Sequence, residues 1–117
     1  MLDARYSIRT QTCGSLTAEN IGEEVTLAGW VHRRRDHGGL IFIDVRDRTG
    51  LVQCTFDPHA SGEAFVFAET VRPEWVLELS GVVRHRPEGT ENTSMPTGQV
   101  EVVISSVTVL NQSVTPP

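Results

Sequence analysis

The chain has 117 residues, ten Arg, no Lys and 15 Asp and Glu, for a formal net charge of −5. That is enough for one domain and one core, which excludes two compact domains or a large enzyme with a deep substrate cleft. No apolar run approaches the roughly 18 residues of a membrane span, and the polar start MLDARYSIRT has no apolar signal core. Cys13 and Cys54 cannot make a disulfide framework and form no CxxC, so no metal site and a reduced, cytoplasmic setting are expected. The net charge hides a pattern. Five Arg and three Asp between Arg33 and Arg48 make that segment +2, so the rest of the chain carries −7. Local fields outweigh the total, because charges beyond about 8–10 Å are screened.

The first strand is read over Val25–Arg33, with Val25, Leu27, Gly29 and Val31 on one face. His37-Gly38-Gly39 turns the chain into a second strand, Leu40–Asp47. Arg48-Thr49-Gly50 makes a tight hairpin into a third, Leu51–Phe56. A helix is predicted over Gly62–Arg72, with Ser61 as its cap, Phe65, Ala68 and Val71 on one face, and Pro73 past its end. The fourth strand is Val76–Arg86. A longer loop from Pro87 to Gly98 leads to the fifth, Gln99–Leu110. A short turn around Thr17–Ile21 precedes the first strand. Residues 1–24 read as a tail with that turn, 25–110 as the folded domain, and 111–117 as the start of a linker.

Three strands, a helix and two strands is the order of an OB-fold, a five-stranded Greek-key barrel with one helix between strands three and four. Gly29 and Gly81 fall inside strands, where glycine often marks a bend or bulge.

The second strand breaks its own pattern. Ile41, Ile43 and Val45 are the core face, so Phe42 points outward beside Asp44 and Arg46. An outward Phe either lies under a loop or offers a stacking platform for an unpaired base. Gln53, on the hairpin partner, can lie beside Phe42, and its amide can both stack and read a base edge; alone it would be an ordinary solvated residue. The Arg33-Arg34-Arg35-Asp36 run is expected to end the first strand and open the next loop, either as a solvated turn or as a phosphate-contacting edge. Alternation sends Arg33 and Arg35 to one side and Arg34 to the other. Asp36 and Asp44 would orient some of these guanidiniums. His32, His37, His59 and His85 lack metal-ligand spacing. Asp44 and Asp47 point to opposite faces, Cys54 reads as a small buried hydrophobe, and no nucleophile elbow or phosphate loop is present. The residues describe a binding module with no catalytic constellation. A freestanding single-stranded nucleic-acid-binding OB module and a protein-interaction barrel using Trp30, Trp75 or the helix stay open beside a specific RNA reader.

At GWVHRRRDHGGLIFIDVRDRTGLVQ (Gly29–Gln53), RHRPEGTEN (Arg84–Asn92), MPTGQVEV (Met95–Val102) and SVTVLN (Ser106–Asn111), the chain resembles the N-terminal anticodon-binding domain of bacterial aspartyl-tRNA synthetases. The resemblance implies an OB-fold that grips the anticodon of tRNA with its bases unstacked. The family's stacking Phe falls on Phe42, the Gln that reads the central uridine on Gln53, and the Arg ending the triple run on Arg35, with Arg33 beside it. The Glu of the last strand falls on Glu101, and the basic positions before the long loop on Arg84 and Arg86. Thr55 stands where many members carry a second aromatic, and Thr90 where some carry Asn. His37 and Gly89 match members that also charge asparagine tRNA. The same resemblance implies a class II catalytic domain outside this chain. That domain would hold ATP and Mg and most of a homodimer interface, and no cofactor is expected in this fragment.

Overall fold

The computed structural model describes residues 10–112; the expectations for residues 1–9 and 113–117 lie outside them. Five strands, β1 (Glu24–His37), β2 (Leu40–Asp47), β3 (Gly50–Phe56), β4 (Val76–His85) and β5 (Val100–Asn111), and one helix, α1 (Glu63–Ala68), follow the expected order. The strands close into a barrel in the order β1-β2-β3-β5-β4, with β1 also paired to β4. All pairings are antiparallel except β3 with β5. Greek-key closure of this kind is the OB-fold.

Period-two patterning builds the core. Leu27, Val31, Ile43, Val45, Val52, Phe56, Leu77, Leu79 and Ile104 are fully enclosed, and their removal from water is the main drive for barrel formation. Gly38 and Gly39 both take positive φ, 61° and 83°, between the paired His37 and Leu40. Two successive left-handed residues match the twist of a two-residue hairpin, and glycine adopts them without a Cβ clash. Gly29 and Gly81 are close-approach sites. A Cβ on Gly29 would lie 2.4 Å from the Arg46 carbonyl oxygen. Gly81 sits beside a register shift between β4 and β5.

Three expectations are corrected. The arginine run does not leave the sheet, because β1 continues to His37 as the partner of β2. The helix is shorter than Gly62–Arg72 and is preceded by Gly62, with no side-chain cap. Ser61 is buried in the preceding turn instead, where its hydroxyl accepts the Asp57 N–H at 2.9 Å. Finally, Ala64, Ala68 and Val71 are the buried residues here, while Phe65 is only partly buried. Ahead of β1, the expected turn is a 3-10 segment at Ala18–Asn20, and a second one lies at Cys13–Ser15.

Candidate nucleic-acid interface

A β-bulge decides which way the arginines face. Val31 pairs with Val45 in the core, yet Arg33 pairs with Asp44, so His32 is the extra residue. Without it, Arg33 and Arg35 would follow Val31 into the barrel interior, since side chains alternate with a period of two. With it, Arg35 pairs with Phe42 and Arg33 with Asp44 on the outer face. Arg34 goes to the other side, as the alternation within the run predicts, and donates from Nε to the Ala68 carbonyl at 2.9 Å.

Arg35 and Phe42 then meet, with the guanidinium carbon 5.6 Å from the ring centroid, a cation–π geometry. Arg35 also reaches Asp44 Oδ1 at 3.3 Å and Gln53 Oε1 at 3.1 Å. Its Nε is buried with no hydrogen-bond partner among the described residues. Asp36 holds Arg34 at 3.1 Å, so both aspartates orient guanidiniums as expected.

Gln53 is not the solvated neighbour of Phe42. It pairs with Asp44, one diagonal step from Phe42, whose direct partner is Thr55. Gln53 is 5% exposed and Thr55 and Glu101 are 0% and 1% exposed. Such burial requires satisfied hydrogen bonds, and Glu101 supplies them. Its Oε1 accepts from Gln53 Nε2 at 3.0 Å and from the Thr55 hydroxyl at 2.7 Å. Its Oε2 accepts from Arg84 Nε at 2.6 Å, directly across β4 and β5. A carboxylate only accepts and a guanidinium only donates, so the Gln53 amide must turn its NH2 to Glu101 and its oxygen to Arg35.

Arg86 is buried and donates from Nε to the Val100 carbonyl at 3.0 Å. Burial pulls its guanidinium below the ordinary arginine range; Asp44 and Glu101 oppose that shift and Arg35 adds to it. That bond ties the residue after β4 to β5 and leaves a positive charge in the pocket wall.

These side chains line one open pocket of about 430 Å³. Arg35, His37, Phe42, Gln53, Arg84, Arg86 and Glu101 all contribute, so seven of the nine residues singled out from sequence converge. Arg33 and Gly89 do not line it. Arg33 is exposed farther along β1, and Gly89 takes φ 86° in the loop that presents Pro87 and Thr90 to the pocket. Leu40 and Pro87 were not foreseen, because an apolar residue flanking a turn carries no signal of its own. Among the described residues, no group of three or more His, Cys, Asp or Glu is placed to hold a metal ion.

Residues 25–110 match the family described as an OB-fold nucleic acid binding domain. The chain belongs to that family. The chain is 61% identical over 93% of its length to an aspartate–tRNA(Asp/Asn) ligase of Rubrobacter xylanophilus and equally to one of Moorella thermoacetica, and it spans 18% of each. It is also similar to the asparaginyl-tRNA synthetase of Pyrococcus horikoshii, with TM-score 0.77 and 28% identity, over 92% of this chain and 24% of that one. An OBody bound to hen egg-white lysozyme superposes with TM-score 0.78 and 26% identity, over 92% of this chain and 98% of that one.

Proposed function

We propose that this domain binds the anticodon loop of aspartate tRNA, and of asparagine tRNA as well, as the recognition domain of a longer class II aspartate–tRNA ligase of the cytoplasm. The observation that carries this reading is one pocket holding a half-buried ring, an oriented amide and three guanidiniums: Phe42, Gln53, Arg35, Arg84 and Arg86. Its volume suits an extruded base rather than a duplex groove, and sequence-specific RNA recognition targets bases of this kind. The ligases similar to this domain support the tRNA assignment, and their Asp/Asn names support the dual one.

Phe42 offers a face for a base to stack on, with Arg35 beside it. Gln53 presents its remaining N–H and oxygen lone pair to the edge of the central uridine. The terminal nitrogens of Arg84 reach toward phosphate or a neighbouring base while its Nε stays on Glu101. His37 and the Gly89 loop flank the third base, where the aspartate and asparagine anticodons differ. Adenylate chemistry with ATP and Mg, and the contacts of a homodimer, fall to the rest of the ligase on this reading.

Filter binding of an aspartate anticodon stem-loop against the same stem with a scrambled loop tests it. Preference for the cognate loop is expected. Equal binding would mean a sequence-indifferent single-strand binder, and no binding a surface that serves proteins. For the dual specificity, the full ligase should charge both tRNAs; strict preference for aspartate tRNA removes that part.

A further inference from the structure

A glutamine amide can present its edge in two opposite polarities, related by a half-turn about its last bond. Uracil offers an N3–H donor beside an O4 acceptor, whereas cytosine offers an N3 acceptor beside an N4–H donor. A freely turning amide would pair with either base. Discrimination between them therefore depends on what stops Gln53 from turning, not on Gln53 alone.

Two groups pin it: Glu101 Oε1 on the NH2 side at 3.0 Å and the Arg35 guanidinium on the oxygen side at 3.1 Å. The Glu101 carboxylate is itself held from two sides. Arg84 takes Oε2, and the Thr55 hydroxyl takes Oε1, the same oxygen that holds Gln53. Arg84 is 44% exposed, so water competes for its bond as it cannot for that of Thr55. Thr55 is fully buried on β3, two residues from Gln53 on the same strand face, at a position where β-branching fixes its rotamer. Its hydroxyl can only donate to the carboxylate, which makes that bond charge-assisted.

We infer that Thr55 is a positioning residue that, through Glu101, locks the polarity of the Gln53 amide and so sets the domain's preference for a uracil-type over a cytosine-type base at the position Gln53 reads. The inference rests on the anticodon-binding reading and adds to it a residue that touches no base.

The test uses the 117-residue chain and two anticodon stem-loops that differ only in a central U or C. The unsubstituted chain favours U. Thr55→Val keeps the shape, removes the donor, and should lower the U-to-C affinity ratio by about tenfold, the scale of a lost charge-assisted hydrogen bond. Thr55→Ser, which keeps the hydroxyl, should restore the ratio. A purely structural role would weaken both loops equally and leave the ratio intact, and that result in Thr55→Val overturns the inference. Should Thr55→Val not fold, Thr55→Ala also lacks the hydroxyl and must show the same fall; an unchanged ratio there is equally fatal. If the unsubstituted chain binds neither loop, or both alike, the anticodon reading itself fails, an outcome separate from loss or retention of preference in the variants.

Discussion

Arg34 Nε donates to the carbonyl of Ala68 at 2.9 Å, tying the far end of β1 to the last residue of α1. The final carbonyls of a helix have no partner within it, and a cation there also favours the helix dipole. Arg34 is thus a structural arginine between two on the outer face, of which Arg35 lines the pocket. Arg34→Ala should lower unfolding free energy by about 1–2 kcal/mol, read from a denaturant midpoint. RNA affinity of the folded fraction should fall much less than for Arg35→Ala.

Phe42 lies across from Thr55 on the outer face and meets the Arg35 guanidinium. Its ring is not part of the enclosed core. Phe42→Ala should weaken stem-loop binding by roughly 10- to 100-fold, the worth of one base–aromatic stack. Its effect on thermal stability should be small, and Phe42→Tyr should retain most of the affinity. Unchanged affinity in the alanine variant would remove stacking from the mechanism.

Alternation along Leu40–Asp47 was enough to put Phe42 outside and Ile43 inside, because a strand has only two faces. It was also enough to separate Arg34 from Arg33 and Arg35. It could not say which face received which, because that depends on His32 being skipped by the β2 ladder, and no residue type announces a bulge there. The burial of Gln53, Thr55 and Glu101 was equally hidden. Each is a common surface residue, and only its partners up to 48 positions away make the interior affordable. Ser61 shows the converse error. It is a good cap by type, but its hydroxyl is spent on the Asp57 turn.

Arg33 shares the outer face with the pocket residues but lies exposed beyond its edge. On the anticodon-binding reading, that position suits a phosphate contact rather than a base contact. Arg33→Gln should weaken all stem-loops alike and reduce the slope of log affinity against log salt by about one. Binding measured across a salt series would show this. A change in preference between loops would place Arg33 at a base instead.

Gly81 and Gly38 separate two reasons for glycine. An added Cβ at Gly81 would lie 2.2 Å from the Val103 carbonyl oxygen, a backbone atom that cannot turn aside. Gly38 has open space but a φ of 61°. Gly81→Ala should therefore cost about 3 kcal/mol or more through overpacking, and Gly38→Ala only about 1 kcal/mol of backbone strain. Denaturant midpoints of the two variants should differ in that order.

Asp47 staples the 3-10 segment at Cys13–Ser15 to the β2–β3 hairpin. Its Oδ2 accepts the Cys13 N–H at 2.8 Å, and its Oδ1 accepts the Thr49 N–H at 2.8 Å and hydroxyl at 2.6 Å. Burial alone would raise its pKa; the hydrogen bonds from Thr49 and Cys13 outweigh it and hold the carboxyl below the usual aspartate range. The unfolded chain then binds the proton more readily than the folded one, so stability rises with pH across this window. The contribution is complete above the unfolded value of about 4 and is lost as pH falls through the folded value. Asp47→Asn keeps the size but puts an NH2 where one oxygen accepted. It should cost about 1–2 kcal/mol at pH 7, and its deficit against the unsubstituted chain should shrink below pH about 4 as Asp47 becomes protonated. Paired denaturation curves at pH 7 and pH 3 measure that difference, and a deficit unchanged between them would show that the carboxylate's charge is not what holds the turn.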